Sequence, residues 1–534
     1  MNDAPPVVAE TVTTRVQAAV LLASILVVAA CAILYQLLIG TASSFFLGDT
    51  VRQFSLTIGV FLSSIGLGSF LSRFVTDRLL ERFILVELLL GLFGAESVPL
   101  LYLAYAIDPD HYVFVMLAMT VLIGSLIGLE LPLLTRIFER RTASLRVTLA
   151  NVMSIDYLGA LAAALMFPFV LLPLLGVFRG ALVVGIVNLT VGVVNLAVVR
   201  GILPRWVRWK LGLVAAAVAT VTIGQLILAG TLESKLHSAL YDYPIVFDMQ
   251  SKYQRVVVTR QDDDVRLYLD GALQFSSRDE NRYHEALVHP AMSAARNRER
   301  VLVIGGGDGL AVRELLAYDD VREIVLVDID PAMTDLGQDY PLLTGLNRNA
   351  LNHAKVKIMN EDAFREVLDG DERFGVVISD LPDPKSVPLS RMYTVTFYQG
   401  VRKIMPASGV LVVQSSSPYF ARRVFWCIEK TLAAAGFGTY PYHVWIPSFE
   451  AWGFVMATPK RTEDGTREGG VELPQVDVST LSVQVKTQFL TDAVLRGMFD
   501  FPKDMALESV KLPIDVNRLD HHPIVGYHAE SWRR

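Results

Sequence analysis

The chain has 534 residues, of which 52% are hydrophobic and 19% charged, with a formal net charge of −6 and a mean hydropathy of +0.42. This composition excludes a single small domain, a disordered chain and a wholly soluble protein, and it favours a membrane part. The two cysteines, Cys31 and Cys427, lie far apart in the sequence, which excludes a disulfide framework and a Cys-ligated metal site.

Charge is distributed unevenly along the chain. Residues 1–230 hold 14 basic and 12 acidic side chains, whereas the remaining residues hold 34 basic and 42 acidic ones. An acidic second half argues against nucleic acid as its partner. It favours a cationic ligand, although acidity also serves solubility.

Long apolar stretches fill the first part of the chain, and each is near the ~20 residues that a helix needs to cross a bilayer core. We predict a transmembrane helical domain over 1–230, with the lipid bilayer as a partner and the cell (inner) membrane as the location. The first stretch lacks a small-residue cleavage site, so it is predicted to be a retained span and not a signal peptide. The seven predicted spans are 17–40, 53–74, 83–106, 111–134, 152–173, 178–199 and 210–230.

The basic residues of the connecting loops predict an orientation. Loops after the second, fourth and sixth spans are rich in arginine, whereas the alternate loops hold only Arg52 and Arg179. The positive-inside rule therefore puts the basic loops and the N-terminus in the cytoplasm. Seven spans would then put the second half of the chain outside.

Polar and ionisable side chains interrupt the apolar stretches. Carboxylates at membrane depth are costly and normally face the interior of a bundle or a wet cavity. Two interpretations stay open: these groups line a path for a cation, or they form hydrogen bonds between helices or lie at span ends. The residues are Gln36, Glu87, Glu96, Glu130 and Asp156.

The pattern changes to short strands after a polar connector. β-rich runs at 256–259 and 265–269 flank a turn-prone acidic cluster at 261–264. They predict a small antiparallel sheet, and the connector and this β-rich subdomain together cover 231–285.

A second pattern follows. A buried strand at 301–304 leads through the glycine loop 305–309 into a helical segment, and the next strand, at 324–327, ends in Asp328. Strand, glycine loop, helix, strand and acid in this order predict an α/β domain with a Rossmann-like doubly wound sheet over 286–460. Residues 461–534 are predicted to form a C-terminal extension.

Acidic side chains follow several predicted strands. Ligands of doubly wound sheets bind at these strand ends, where glycines let the backbone approach a nucleoside and an acid accepts both ribose hydroxyl protons. NAD-dependent and adenosylmethionine-type enzymes both stay possible, although the loop lacks complete G-x-G-x-x-G spacing. The acids are Asp308, Asp328, Asp362, Asp380 and Asp383.

This concentration of negative charge selects among the ligands. Adenosylmethionine would bring its own carboxylate, which Asp308 in the glycine loop would repel. Decarboxylated adenosylmethionine carries only a sulfonium and a primary ammonium, and a diamine substrate adds two more positive charges. The carboxylates of Asp308, Asp380 and Asp383 would then all attract the cationic groups of the two ligands.

Between about Tyr253 and Thr458, a set of motifs occurs in a specific order and spacing. They are Tyr253-Gln254, Leu269-Asp270-Gly271 with Gln274, Asp279-Glu280, Tyr283-His284-Glu285 with His289-Pro290, Gly305 to Gly309, Val327-Asp328-Ile329-Asp330, Asp380 to Pro384 and Val413-Gln414-Ser415. In these motifs the chain resembles the polyamine aminopropyltransferases, the spermidine synthase family. With its apolar spans and its C-terminal tail, it resembles the membrane-fused bacterial branch of that family.

The resemblance implies roles for individual residues. Asp380 would be the general base. The residues that hold or place the amine would be Tyr283, His284, Asp308, Asp383 and Gln414. The residues that hold the nucleoside would be Gln254, Gly305, Gly307, Asp328, Asp362 and Ala363. No metal and no redox cofactor are implied, because decarboxylated adenosylmethionine is a co-substrate, and a homodimer is suggested.

The activity implied is transfer of the aminopropyl group of decarboxylated adenosylmethionine to putrescine or a related amine, giving spermidine and 5'-methylthioadenosine. Leu381-Pro382 and Phe449 depart from the usual pattern of the family and leave the acceptor amine open. Two alternatives stay open as well: a methyltransferase that uses S-adenosylmethionine, and a membrane polyamine transporter or sensor with a non-catalytic nucleoside-binding domain. Because the donor is made in the cytoplasm, we expect the catalytic domain there, against the loop-charge argument.

Overall fold

The computed structural model describes residues 15–47, 50–142, 145–238, 240–460, 476–507, 510–511 and 513–531. The chain divides into two compact units between Asp242 and Tyr243, a helical unit followed by an α/β unit. The start of the expected helical domain, 1–14, and the first part of the expected C-terminal extension, 461–475, lie outside the described residues.

The helical unit consists of long apolar helices, in which leucine, valine and alanine are the commonest residues. Its helices are α1 (Arg15–Leu47), α2 (Thr50–Leu71), α3 (Leu79–Ile107), α4 (Tyr112–Thr142), α5 (Leu145–Met166), α6 (Leu172–Val198), α7 (Arg205–Ile227) and α8 (Ala229–Ser238). Helix α8 falls where the sequence predicts a polar connector, and it packs against α3 and α7.

Small residues allow close helix packing in this unit. A Cβ atom on Gly68 of α2 would lie 2.0 Å from the Ser125 carbonyl oxygen of α4, and one on Gly128 of α4 would lie 2.1 Å from the Ile65 carbonyl oxygen of α2. Backbones that approach this closely are typical of helix pairs in membranes.

Six helical stretches within the described residues, and not the expected seven, are long and apolar enough to cross a membrane. The residues expected to form spans five and six belong to one continuous stretch of 50 residues, Leu149–Val198. This stretch contains a π-helical turn, Phe167–Leu171, and a break at Gly176, which has φ +66° and ψ −174°.

The second half of this long stretch, α6, runs antiparallel to α1, and the first half, α5, also lies against α1. In α5, Gly159 lies against Leu26 of α1. In α6, Gly180 lies near Leu38 of α1, and Asn195 accepts a hydrogen bond from Ser24. The numbering therefore falls along α6 as it rises along α1, so α6 is antiparallel to α1.

The α/β unit begins with a small antiparallel sheet, which confirms the strand pattern read from the sequence. Its strands pair in chain order, β1-β2-β3-β4. They are β1 (Ile245–Gln250), β2 (Arg255–Gln261), β3 (Asp264–Leu269) and β4 (Ala272–Ser276).

A larger sheet follows, with the order β10-β11-β9-β8-β5-β6-β7. The neighbours from β9 to β7 pair in parallel, and β11 and β10 extend the sheet antiparallel at one edge. This is the expected Rossmann-like doubly wound arrangement. The strands are β5 (Arg300–Gly305), β6 (Glu323–Val327), β7 (Val356–Met359), β8 (Val376–Asp380), β9 (Val410–Gln414), β10 (Phe437–Ile446) and β11 (Glu450–Pro459).

Both faces of the larger sheet are buried. Along β5, Val301 and Val303 belong to one apolar core, and Leu302 and Ile304 belong to another on the opposite face. Continuous apolar strands are expected where helices cover both faces. The helices of this unit are α9 (Glu280–Ala294), α10 (Leu310–Leu315), α11 (Pro331–Asp339), α12 (Pro341–Asn347), α13 (Ala363–Asp369), α14 (Val387–Ser390), α15 (Val395–Lys403), α16 (Arg422–Ala434), α17 (Asp492–Gly497) and α18 (Pro523–Ser531).

Candidate active site

The site forms where the strand order of the larger sheet reverses. Strand β6 lies beside β5 on one side and β8 lies on the other, so the carboxyl ends of β5 and β8 flank a crevice. Gly305 pairs with Asp380 across these ends. A Cβ atom on Gly305, which has φ +77°, would lie 2.2 Å from the Asp380 carbonyl oxygen. Glycine is therefore required here, and the glycine loop lies directly against the acid that ends β8.

The Asp380 carboxylate is oriented by a tyrosine. Tyr283 of α9 donates its hydroxyl to Asp380 Oδ1 at 2.7 Å. Burial raises the pKa of Asp380 to about 6; the charge of His284 opposes this shift and the carboxylate of Asp308 adds to it. Asp380 is therefore a stronger proton acceptor than an ordinary aspartate, and it is still ionised at neutral pH.

Asp308 and His284 contribute opposite charges next to Asp380. The Asp308 carboxylate accepts the N–H of Leu310 at 2.8 Å, at the start of α10. Burial raises the pKa of Asp308, although the charge of His284 opposes the shift. His284 Nδ1 lies 2.9 Å from both Oε2 and the carbonyl oxygen of Glu280. Because both oxygens are acceptors, Nδ1 carries a proton.

Glu280 also sets the charge of His284. Burial alone would disfavour the imidazolium ion, but the hydrogen bond and the negative charge of Glu280 raise the pKa of His284 above its ordinary value. The imidazolium form then faces the carboxylates of Asp308 and Asp380, which favour it further.

Asp383 is oriented by Gln414 at the end of β9. Gln414 Nε2 donates to the carbonyl oxygen of Leu381 at 2.5 Å and to Asp383 Oδ1 at 3.3 Å. Ser416 donates its hydroxyl to Asp383 Oδ2 at 2.9 Å. The side chain of Asp383 keeps 16% of its surface exposed, so it can still meet a ligand.

Asp328 lies on the other side of the glycine loop. Its Oδ2 accepts the N–H of Gly307 at 3.1 Å, and its Oδ1 accepts the N–H of Asp330 at 2.9 Å. Burial raises the pKa of Asp328 to about 6, with contributions from the carboxylates of Asp330 and Asp308, while the two N–H groups oppose the shift. Each carboxylate oxygen has a lone pair left for a ligand hydroxyl.

Gln254 is connected to Asp328 through intermediate residues. Ser251 accepts the N–H of Gln254 at 3.0 Å and donates its hydroxyl to Asp330 Oδ2 at 2.6 Å. The loop before β2 is thereby tied to the end of β6.

Asp362 and Ala363 lie at the start of α13. Asp362 Oδ1 accepts the N–H of Phe364 at 3.1 Å, and Oδ2 accepts a hydrogen bond from Arg391 at 2.6 Å. Asp362 thus serves as a helix cap and an ion-pair partner, and the next residue, Ala363, is buried. Contact of these two residues with a nucleoside stays a prediction.

Comparison with known proteins bears on the whole chain. Residues 280–466 match the model of the spermine/spermidine synthase domain. The polyamine aminopropyltransferase of Leptospira interrogans is 38% identical over 96% of this chain and 98% of its own length, and polyamine aminopropyltransferase 2 of Ralstonia nicotianae is 40% identical over the same shares. A solved spermidine synthase in complex with the transition-state analogue AdoDATO is 23% identical over 48% of this chain and 85% of its own, with a TM-score of 0.42.

The chain belongs to the polyamine aminopropyltransferase family. This confirms the resemblance read from the motifs, and the protein is a transferase. In the part of this aminopropyltransferase that the structure describes, no group of three or more His, Cys, Asp or Glu side chains is arranged to hold a metal ion.

The sequence reasoning gave no role to a buried ion pair behind His284. Arg313 donates from both terminal nitrogens to Glu280 at 2.8 Å. Burial works against ionisation of Glu280, but hydrogen bonds from His284 and Arg313 lower its pKa to about 2. The i,i+4 spacing of Glu280 and His284 was a usable signal for this contact. In the aminopropyltransferase, this pair holds the histidine that faces Asp308.

A second missed residue comes from the last described helix. His528 Nε2 of α18 lies 3.4 Å from Asp383 Oδ2. The helix is held by Arg423 of α16, whose guanidinium pairs with Glu530 at 2.7 Å and lies 3.6 Å from the ring centre of Tyr527. No local pattern in the sequence links His528 with Asp383, because the two belong to separate elements that meet only in the folded chain.

Proposed function

We propose that the protein transfers the 3-aminopropyl group of decarboxylated adenosylmethionine to putrescine or a related diamine, giving spermidine and 5'-methylthioadenosine. The observation that carries this proposal is the line of carboxylates at one edge of one sheet, Asp308, Asp328, Asp380 and Asp383, each partly exposed. The negative charge of these side chains attracts a donor and an acceptor that are both cationic, whereas it repels a ligand that has its own carboxylate. The donor is a co-substrate, and the reaction needs no further cofactor.

Asp380 acts as the general base in this proposal. An alkylammonium with a pKa of about 10.4 has no lone pair, so the attacking nitrogen must first lose a proton. Tyr283 holds Oδ1 of Asp380 at 2.7 Å, and the raised pKa of about 6 makes this carboxylate a suitable proton acceptor.

Bond making and breaking then follow from charge. The nitrogen lone pair forms a C–N bond to the propyl carbon next to the sulfonium, and the C–S bond breaks with its electron pair going to sulfur. The proton from nitrogen goes to Asp380. The sulfur leaves as a neutral thioether, so no acid is required on that side.

The remaining acids position the two substrates. Asp308, beside the imidazolium of His284, is proposed to hold the ammonium of the aminopropyl group. Asp383, oriented by Gln414 and Ser416, holds the far ammonium of the acceptor amine. Orientation of this kind converts an encounter of two molecules into a step within one complex.

The other side of the loop is proposed to bind the nucleoside. Asp328 accepts the ribose hydroxyls, while Gly305 and Gly307 let the backbone approach the ligand. Gln254 contacts the adenosyl part from the loop before β2, and Asp362 with Ala363 meets the adenine from the start of α13. These assignments follow the motifs of the family, and the link from the loop before β2 to the end of β6 supports the one for Gln254.

A comparison of donors tests the proposal. The purified full-length protein is incubated with putrescine and either decarboxylated adenosylmethionine or S-adenosylmethionine, and the products are identified by mass spectrometry. We expect spermidine and methylthioadenosine from the first donor and no methylated amine from the second. Methylation, or binding of both donors without any product, would overturn it in favour of a methyltransferase or a non-catalytic sensor.

The helical unit is proposed to span the cell membrane. Its helices expose large apolar side chains, which a soluble surface rarely does to this extent. Examples with more than half of their surface exposed are Val51, Leu62, Phe70, Phe114, Leu158, Leu161, Phe169, Leu174, Leu213 and Ile227.

We further propose that the 50-residue stretch crosses twice, which gives seven crossings in total. At 1.5 Å per residue it would be about 75 Å long, far more than a bilayer core of about 30 Å. The break at Gly176 supports a hairpin. So do the contacts of Gly159 with Leu26 and of Asn195 with Ser24 on α1, because a straight helix would separate Gly159 from Asn195 by about 54 Å.

The side of the membrane is argued from the chemistry. Seven crossings with basic loops inside would place the α/β unit outside. The nucleoside donor is made in the cytoplasm, however, so we propose that the catalytic unit is cytoplasmic and that loop charge does not set this orientation. The homodimer that the family suggests also stays a prediction.

A further inference from the structure

A buried polar cluster lies in the interior of the helical unit, apart from the transfer chemistry. It contains Glu87 of α3, Glu130 of α4 and Asn188 of α6, of which none has more than 4% of its surface exposed. Asn188 Nδ2 donates to Oε2 and to the carbonyl oxygen of Glu87, each at 3.0 Å. Glu130 lies within electrostatic reach of Glu87 and of Asp156 on α5.

The cluster lies deep within the unit. Cys31 and Tyr35 of α1 are also within electrostatic reach of Glu87 and Glu130. Cys31 is the midpoint of α1. With a rise of 1.5 Å per residue, this midpoint is about 24 Å from either end of the helix. The two carboxylates are therefore surrounded by the helix bundle at its middle.

Three acceptor atoms in this cluster have no hydrogen-bond partner: Glu87 Oε1, Glu130 Oε1 and Asn188 Oδ1. The amide of Asn188 cannot be reversed to remove the problem, since its Nδ2 faces two acceptors. Among the residues that the structure describes, no Lys, Arg or His pairs with either glutamate. Buried polar groups normally have partners, and buried carboxylates normally have a counter-charge.

We propose that this cluster, Glu87, Glu130 and Asn188, is a binding site for a primary ammonium group. An –NH₃⁺ group has three N–H donors and no acceptor, which matches three unpaired acceptors, and its charge offsets that of the carboxylates. A single proton would satisfy at most two of the three atoms. A Ca²⁺ ion takes about six to eight oxygen ligands, more than the cluster offers.

The site is inferred from the helical unit alone, so it does not depend on the proposed transfer reaction. The same chain handles primary amines in its α/β unit if that proposal is right, and amines are then available to both units. Glu96 supplies a matched control on the same helix. Its carboxylate also accepts one amide hydrogen bond, from Gln225 of α7 at 3.0 Å, and also leaves Oε1 unpaired, but it lies nine residues, about 13.5 Å, along α3 from Glu87 and so outside the cluster.

Equilibrium binding to the full-length protein in lipid nanodiscs tests the proposal. Radiolabelled putrescine is titrated at constant ionic strength into protein carrying Asp308→Asn and Asp383→Asn, which weaken the catalytic amine site. We expect saturable binding of about one putrescine per chain. Adding Glu87→Gln or Glu130→Gln is expected to weaken it about 10- to 100-fold, the usual effect of removing a hydrogen bond to a charged group, whereas Glu96→Gln leaves it unchanged.

Competition identifies the chemical group that binds. Methylammonium, which has three N–H donors, is expected to displace putrescine, and tetramethylammonium, which has none, is not. Glu96→Gln in otherwise native protein is expected to leave turnover unchanged, because an amide that still accepts the hydrogen bond from Gln225 replaces a carboxylate of the same shape. Absence of the residual binding, its persistence in both Gln variants, or equal displacement by tetramethylammonium would overturn the proposal.

Discussion

At the scale of single residues, the chemistry depends on Asp380. Its carboxylate combines a fixed orientation, through Tyr283, with a pKa raised by burial to about 6. Asp380→Asn keeps the shape and the hydrogen bond from Tyr283 but cannot accept a proton. We expect kcat to fall about 10²- to 10⁴-fold, the usual contribution of a general base, while equilibrium binding of the nucleoside donor changes little. A kcat within a few fold of the native value would contradict the assignment.

The raised pKa of Asp380 also predicts a pH profile. The base must be ionised, and a carboxyl group with a pKa of about 6 is ionised above that pH and protonated below it. We therefore expect kcat/KM for the amine, which reports groups of the enzyme before the amine binds, to be level above about pH 7 and to fall about tenfold per pH unit below pH 6. Measurement of kcat/KM for the amine between pH 5 and pH 8 checks this, and a level profile down to pH 5 would contradict it.

Gly305 determines the backbone conformation of the glycine loop beside Asp380. A methyl group there would collide with the carbonyl of Asp380 in a backbone conformation that side chains disfavour. Gly305→Ala is expected to lower kcat/KM by at least ~10-fold, because displacement of the catalytic carboxylate by even 1 Å is costly. Gly345→Ala, an exposed position of α12 with nothing within 4 Å, serves as the control. Equal activity of Gly305→Ala and Gly345→Ala would contradict this prediction, because it would show that the site tolerates the displacement of Asp380.

At the scale of elements, helix α18 reaches the amine side of the crevice. His528 is a positioning residue for Asp383 in this account. His528→Ala is expected to raise the KM for the acceptor amine about 3- to 10-fold, the value of one hydrogen bond, with less effect on kcat. Glu530→Ala on the same helix removes the pair with Arg423 and not the contact with Asp383. Equal increases of KM in both variants would contradict a direct role of His528. They would show that α18 acts only by packing against α16.

The elements that sequence reasoning predicted are those whose pattern is local. Strands β5 and β8 appear as continuous apolar runs because both of their faces are buried, and each run ends in the loop or acid that forms the site. Asp308 and Asp380 follow from this pattern, whereas Tyr283 and His284 follow only from the resemblance to the family. The structure brings the four residues into mutual contact or electrostatic reach.

The elements that it missed depend on contacts between distant parts of the chain. The approach of His528 to Asp383 follows from the packing of α18 on α16, which no local motif reports. The π-helical turn at Phe167–Leu171 was also missed, because its residues are as apolar as the helices on either side. The expectation that the spans 152–173 and 178–199, which meet at the break at Gly176, both cross the membrane stays a prediction.

At the scale of the whole molecule, the proposed membrane topology can be tested by cysteine labelling. Both native cysteines are buried, so a single added cysteine gives a clear signal with an impermeant maleimide. Gly201, in the turn before α7, and Gly345, in the α/β unit, are exposed and have nothing within 4 Å of an added Cβ. We expect Gly345→Cys to be labelled only in inside-out vesicles and Gly201→Cys only in right-side-out vesicles. Labelling of both from the same side would contradict a crossing by α7, and the reverse pattern would place the catalytic unit outside.

The most direct test of the central claim follows the transferred group itself. Decarboxylated adenosylmethionine labelled with ¹³C in its aminopropyl group is incubated with the purified full-length protein and a panel of diamines and triamines. The account predicts that the label appears in spermidine when putrescine is the acceptor, with one methylthioadenosine released for each spermidine formed. Label that stays in the nucleoside with every amine of the panel would contradict it.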